Sequence, residues 1–463
     1  MIIKLVWIWC NMKIKTNSKY VKKNDIFVCI HDELEDRHKY IKDIKKANAI
    51  IIDKDINRNI KIPLIKVKDT NDTLFDIYNN YYSKPLNDIN LIAVTGTDGK
   101  TTSAMIIKQL LDNYEDTAYL GTNGFIYKDK EFNTKNTTPA IDIVLKYADM
   151  LRKDNVKNLV MEASSEGLLH NRCKNLCVNR ALITNVTGDH FNIHGSFDNY
   201  LRSKLKLFSN LSDDGVAIVN IDDISFKYIK DLGKNIITYG VNKKADYMIK
   251  NIKLFDDKTL FELRYKNKIY SVESPLLGKF NVYNLTLAIA CCCSFGIDIC
   301  EIIEFVNDIE PISGRLNVFK SKNGAKVILD YAHTINATEE ILSFANEVKS
   351  GKIITVLGCA GGRDNEKRES IGRIATELSD KVIFTMDDPR YERVKNIIKD
   401  MVKDVKINNY ISIVNRKRAI RYAIKSAKKD DLVFVKCIFC GFLVFNCKSL
   451  FVIIIIMKNF FWG

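Results

Sequence analysis

A repeated C-x₂-C spacing is missing from this sequence: of twelve cysteines among 463 residues, only Cys437 and Cys440 are so spaced, and no second pair answers them. That excludes a zinc-ribbon type of site. The densest group, "ACCCSF" at 290–295, stands in an apolar, helix-like run where cysteine acts as a small hydrophobe, so reduced thiols in a cytoplasmic protein are expected. A basic block interleaved with aromatics is absent too. The formal charge of +15 is spread along the chain among Asn, Ile and Asp, which argues for a compositional bias and against a nucleic-acid partner. The opening "MIIKLVWIWCNMK" is too short to span a membrane and has no small-residue cleavage site. There is no internal repeat. What is present is a 46% hydrophobic chain of a length that suits about three domains with real cores.

The most telling stretch is "VTGTDGKTTSAM" at 94–105. Leu91 to Val94 is apolar and strand-like, and Ser103 to Asp112 has helical spacing, so Gly96, Thr97, Asp98, Gly99, Lys100, Thr101 and Thr102 fall on a strand-to-helix turn. Backbone N–H groups and the helix dipole attract anions at such a turn. Lys100 can reach outer phosphates, and the Thr101 hydroxyl can sit on magnesium. The spacing is shorter than that of the common phosphate loop, which would need glycine at Val94.

Strand-like and helix-like segments alternate in three blocks, the pattern of α/β folds with parallel sheets. The first block, 1–88, has strands "DIFVCI" and "ANAIIID" with a helical "HKYIKDIKKA" between them. The second, 89–313, carries "LIAVTG", "KNLVMEASS", "RALITNV" and "GVAIVNIDD"; the third, 314–435, carries "AKVILDYAH", "KIITVLGCAGGRD", "DKVIFTMDDPR" and "DLVFV". Ligands of open α/β sheets gather beyond the carboxyl ends of strands. Glu162 and His190 follow two such strands, and oxygen-preferring magnesium suits Glu162 with Thr101, with His190 as a candidate ligand of a second ion. Taken singly, a strand-end glutamate also caps helices and a lone histidine is often structural.

In order along the chain, "GTDGKTT", "NTTPA", "MEASSEGLLHNR", "TNVTGDHFNIHGSFDNYLRSKLKLF", "LLGKFNVYNLTLAIA", "SGRLNVF", "LDYAHT", "GCAGGRDNEKR" and "DDPRYE" resemble the Mur ligases of the MurE type over residues 14–435. The resemblance implies three α/β domains: a small UDP-MurNAc-binding domain, a central parallel-sheet ATPase domain and a Rossmann-like amino-acid-binding domain. It also implies ATP-dependent addition of the third amino acid to UDP-MurNAc-L-Ala-D-Glu in peptidoglycan synthesis, by a cytoplasmic monomer. In that chemistry the substrate carboxylate takes the ATP γ-phosphate, and an amine then displaces phosphate from the acyl phosphate. Phosphoryl transfer is mostly positioning and charge neutralisation. By the same resemblance, Thr101 and Glu162 hold one Mg²⁺ and His190 a second, and Lys204 is carbamylated into a metal ligand. Asn281, Asn284, Arg315, Asp330 and His333 match nucleotide contacts. Ser18, Asn136, Thr137, Thr138, Ser164, His170 and Arg172 match contacts to the UDP-MurNAc dipeptide, whose phosphate and carboxylate oxygens suit hydroxyls, amides and a guanidinium.

Arg363 and the run Asp387, Asp388, Pro389, Arg390 resemble the acceptor signature of diaminopimelate enzymes, with Asp388 in place of Asn. A guanidinium at Arg390 can grip the distal carboxylate that lysine lacks, so meso-diaminopimelate is favoured over L-lysine. Departures from the family pattern stand at Asn17, Lys19, Tyr20, Asp32 and Arg37 in the first block. The largest is the run 436–463, "KCIFCGFLVFNCKSLFVIIIIMKNFFWG", where the family has a glycine-rich turn with a glutamate. Asn446, Lys448 and Lys458 interrupt its apolar character, so it reads as an out-of-frame end in preference to a membrane anchor, and it puts activity in question. The alternatives are a folylpolyglutamate or cyanophycin-type ligase on the same scaffold, or a catalytically impaired product.

Overall fold

The computed structural model describes residues 13–436, apart from 58–59, 234 and 363–364. The N-terminal apolar run, the tail from 437 onward and Arg363 therefore lie outside the described residues. Three sheets follow one another along the chain, parallel at their centres and packed against helices.

The first has four parallel strands, Ile14–Lys15, Ile26–Val28, Ala49–Ile52 and Leu64–Lys66. The segment expected to be a helix at "HKYIKDIKKA" is instead a 3₁₀ helix, Arg37–Asp43, and ends before the lysine pair. Both ends are fixed: Asp36 caps the first turn and grips the buried His38 ring at 2.6 Å, and Ile44 is extended. With only His38 and Ile41 buried, the segment has no apolar face that would reward a longer helix.

The middle sheet has eleven strands. Asn90–Thr95 is central, between Asn158–Glu162 and Val178–Ile183, and all three are parallel. Alternate side chains serve two cores, as a period of two requires. Leu91 and Ala93 face one core with Val144 and Leu145 of the helix Ile141–Lys153, whereas Ile92 and Val94 face another with Ala104 and Ile107 of the helix Lys100–Leu111. A strand buried on both faces puts its polar chemistry at its end, because nowhere else along it meets solvent. The helix Lys279–Cys293 covers the second core and buries Cys291 and Cys292.

The third sheet runs in the order Asn317–Lys320, Lys326–Asp330, Leu432–Lys436, Ile353–Leu357, Lys381–Phe384, Tyr410–Ser412, with only the first strand antiparallel. Lys436, expected to open the aberrant tail, instead completes a fully buried strand. Among the described residues no helix is long and apolar enough to cross a membrane.

Candidate active site

The turn after Asn90–Thr95 is built for close approach. Gly99 precedes the helix with φ +83°, and a Cβ there would stand 2.4 Å from Asn284 Oδ1; at Gly96 it would meet Thr184 Oγ1 at 1.9 Å. Only glycine fits either position. Lys100, the first helical residue, donates to the carbonyls of Gly96 at 3.0 Å and Thr97 at 2.8 Å. Burial lowers its pKa, against the pull of Glu162 and Asp98.

Beside it lies a knot around Glu162, whose carboxylate is fully buried. Thr101 Oγ1 donates to Glu162 Oε2 at 3.0 Å, Thr122 donates through its N–H at 2.9 Å and its hydroxyl at 3.0 Å, and Tyr119 donates its phenol. Arg315, from beyond the middle sheet, donates to Thr101 Oγ1 at 3.1 Å. Sequence spacing alone gave no signal for Tyr119 or Thr122.

His190 joins a second cluster. Its Nε2 lies 3.3 Å from Asp189 Oδ2, His333 Nε2 lies 3.7 Å from the same oxygen, and Lys367 Nζ donates to Asp189 Oδ1 at 3.2 Å. Asp189 is 2% exposed. Burial works against its charge, but His190 and Lys367 outweigh that and hold the carboxyl well below the usual range. Burial lowers the pKa of both histidines. Among the described residues Asp189, His190 and His333 bring three ligand-type atoms within 4.8 Å of one another. Asp189 and Lys367 were missed as site residues although both sit inside motifs read from the sequence, next to or near the residues that were chosen.

Lys204 is buried; its Nζ donates to Gly96 O at 2.5 Å and lies 4.2 Å from the Tyr200 ring centroid. Burial, and then the neighbouring Lys100, drives its pKa far down. An ammonium is disfavoured in that place.

A cavity of about 300 Å³ opens from the phosphate turn, lined by Asp98, Thr187, Asn281, Asn284, Arg315 and Asp330, among others. The two asparagines are linked to each other at 3.0 Å, and Asn284 Oδ1 accepts from Ser103 at 3.2 Å. Asp330 accepts from Leu316 N at 2.8 Å and Ala332 N at 2.7 Å, and burial pushes its carboxyl up to about 6. Thr334, at the head of the helix Ile335–Val348, donates to Asp98 at 3.0 Å and ties the third sheet to the phosphate turn. Thr187 Oγ1 is buried in the cavity wall without a hydrogen-bond partner, as a donor or acceptor awaiting a ligand would be.

The residues matched to the nucleotide-sugar substrate form a ledge behind Glu162. Thr138 Oγ1 donates to Glu162 O at 2.9 Å and lies 3.0 Å from Ser164 Oγ; Arg172 donates to Thr138 O at 3.2 Å. Thr137 Oγ1 lies 3.1 Å from Thr122 Oγ1, and the Asn136 carbonyl accepts from Thr134. His170 Nδ1 reaches Asp32 across to the first sheet at 2.8 Å, so one departure from the family pattern makes an interdomain contact. Ser18 stands on the 3₁₀ turn Ser18–Tyr20 of that same N-terminal unit. In the third unit Asp387 pairs with Lys436 at 3.1 Å, and Arg390 has φ +47° with its Nε 3.6 Å from Asp388.

The Mur ligase middle domain matches residues 94–292, and the Mur ligase glutamate ligase domain matches residues 314–437. The chain belongs to the Mur ligase family. This Mur ligase is 36% identical over 434 residues to the UDP-N-acetylmuramoyl-L-alanyl-D-glutamate--2,6-diaminopimelate ligase of Clostridium botulinum, over 91% of this chain and 89% of that one. A solved structure of a ligase of that same name superposes with TM-score 0.66 at 26% identity, over 91% and 88% of the two chains. A folylpolyglutamate synthase from Mycobacterium tuberculosis superposes equally well, TM-score 0.66, but at 15% identity over 79% of this chain and 92% of that one, which shows a shared fold alone.

Proposed function

We propose that this Mur ligase joins meso-diaminopimelate to UDP-MurNAc-L-Ala-D-Glu at the expense of ATP. The observation that carries the reading is the bond between Thr101 and Glu162 at the head of the phosphate-turn helix, with Arg315 reaching in from the next unit to the same hydroxyl. Hydroxyl and carboxylate meet at the head of the phosphate-turn helix, and the guanidinium that joins them, Arg315, also lines the cavity in which a nucleotide would lie. The donor set fits magnesium: Thr101 and Glu162 are hard oxygen ligands, and His190 with a carbamylated Lys204 would hold a second ion. The metal would supply neutralisation of phosphate charge.

The chain's own groups do the rest. Lys100 turns from the Gly96 and Thr97 carbonyls to the transferring phosphate, and the amides of the turn orient it. Asn281 and Asn284 present amides to the base, while Asp330 and His333 close the nucleotide from the third unit. The ledge of Thr138, Ser164 and Arg172 positions the dipeptide so that its terminal carboxylate meets the γ-phosphate, and Asn136, Thr137, His170 and Ser18 extend the contact toward the uridine end. Water is kept out by the same interdomain bonds, since an acyl phosphate exposed to solvent would hydrolyse. Lys204 suits carbamylation because its depressed pKa leaves a neutral amine, which attacks carbon dioxide and loses a proton to become an anionic carbamate.

Arg390 is assigned to the distal carboxylate of the acceptor, with Asp387 to Pro389 framing it. The domain limits 1–88 and 89–313 are part of the same reading, with the third unit starting at 314 and taking in the strand Leu432–Lys436. ATP and a nucleotide sugar are cytoplasmic metabolites, which places the enzyme there. It works as a monomer, one chain supplying the whole constellation. Phosphate release measured with each substrate omitted in turn tests the reading. Release must require ATP, magnesium, the UDP-MurNAc dipeptide and the diamino acid together; release indifferent to the nucleotide sugar defeats it.

A further inference from the structure

Arg368 is a charged side chain in the interior of the third unit, 1% exposed. Its guanidinium forks onto Glu392, with Nη1 donating to Oε2 at 2.9 Å and Nη2 to Oε1 at 3.0 Å. The same two nitrogens also donate to Asp400 at 2.8 Å and to Ala360 O at 3.0 Å. Burying a guanidinium is costly unless its donors are matched, and a hydrophobic residue would often serve stability as well. What the charge gives here is geometry, because a bidentate pair fixes both position and plane.

The geometry it fixes is that of a neighbouring loop. Glu392 Oε1 also accepts the Gly362 N–H at 2.5 Å, and the pair with Arg368 holds the Glu392 carboxyl below its usual range. A backbone bond joins the same two segments, Gly361 N donating to Asp388 O at 2.8 Å, and within the second segment Glu392 N closes a turn onto Pro389 O at 2.8 Å. The segments touch so closely that a Cβ on Gly361 would stand 2.2 Å from Pro389 O. Between these ties lies Arg390, held at φ +47°, a backbone conformation that a non-glycine residue keeps only when its surroundings enforce it.

We infer that Arg368 and Glu392 are positioning residues that preset Arg390 for the distal carboxylate of the acceptor diamino acid. The inference rests on the assignment of Arg390 made above. A merely structural role would make Asp400 equivalent to Glu392, since both bond the same Nη1 atom, yet Asp400 belongs to the helix Val394–Met401 and, among the described residues, its carboxylate bonds Arg368 and not the loop.

The test compares Glu392→Gln, Arg368→Lys and Asp400→Asn with the full-length chain. In Glu392→Gln the KM for diaminopimelate rises about tenfold, the loss of one charge-assisted bond, while the KM values for ATP and the nucleotide sugar stay within about twofold. Arg368→Lys gives an intermediate rise, and Asp400→Asn leaves the KM for diaminopimelate unchanged. Hydrogen exchange on the substrate-free proteins gives a second readout: amides of 388–392 exchange faster in Glu392→Gln and not in Asp400→Asn. Equal exchange in the two variants, or an unmoved KM in Glu392→Gln, overturns the clamp. Failure of the unsubstituted chain to use diaminopimelate at all defeats the proposed function instead, and the exchange comparison then still decides whether the loop is clamped.

Discussion

Thr101 Oγ1 lies 3.0 Å from Glu162 Oε2, which joins the first turn of one helix to the end of a strand sixty-one residues later in the chain. Both groups are buried, and both are oxygen donors of the kind that hard cations prefer.

Glu162→Gln keeps the shape of this contact and removes its charge. The expected result is a fall in kcat of about 10²–10³-fold, with a higher magnesium concentration needed for half-maximal rate. Steady-state kinetics over a magnesium series checks it, and an unchanged magnesium requirement would remove Glu162 from the metal site.

Much of this constellation was legible because its members occupy ends of apolar runs. The strand Asn90–Thr95 is buried on both faces, so the glycine turn behind it had to be where its polar chemistry begins. Glu162 and His190 were legible for the same reason. What spacing did not show is which of them meet: Glu162 pairs with Thr101, Thr122 and Tyr119, whereas His190 pairs with Asp189 in a second cluster that draws His333 and Lys367 from the third unit. Such pairings depend on how one sheet docks on another, which periodicity does not encode. The 3₁₀ segment Arg37–Asp43 is shorter than the helix its lysines favour locally: the Asp36 cap on His38 is a local contact, but His38 also accepts from Asp53 N, fifteen residues on, a tertiary tie that periodicity does not show.

Lys204 gives a prediction with a spectroscopic readout. Protein equilibrated with ¹³C-bicarbonate should show a slowly exchanging carbamate resonance that is absent from Lys204→Arg, in which the guanidinium stays protonated. Burial lowers the pKa of this amine and so favours the neutral form from which a carbamate is made; identical spectra from both proteins would leave Lys204 unmodified.

Asp330 sets a pH dependence of stability. Its carboxyl titrates near 3.8 in an unfolded chain and about 6 when folded, so the folded state holds the proton more tightly. The contribution is full below about pH 4 and is lost as pH rises through about 6, roughly 3 kcal/mol in all. Denaturant melts of the parent and Asp330→Asn should therefore differ by a quantity that favours the parent increasingly as pH falls from 7 to 4. A difference flat across that range would contradict the assignment.

Arg390 decides between acceptors. Arg390→Ala should raise the KM for meso-diaminopimelate by about tenfold or more, the value of a charge-assisted bond to a carboxylate, and leave any use of L-lysine unaffected. Competition between the two amino acids measured by product mass checks it. Equal loss for both would mean that Arg390 serves the fold of its loop and not acceptor choice.

The most direct test of the chemistry is to follow an oxygen atom. UDP-MurNAc-L-Ala-D-Glu labelled with ¹⁸O in the reacting carboxylate is turned over with ATP, magnesium and diaminopimelate, and the released phosphate is weighed by mass spectrometry. Transfer of the γ-phosphate onto that carboxylate predicts one ¹⁸O in each phosphate, carried away when the amine displaces it. Phosphate bearing only ordinary oxygen, or none released, would contradict an acyl phosphate formed beside Thr101 and Glu162.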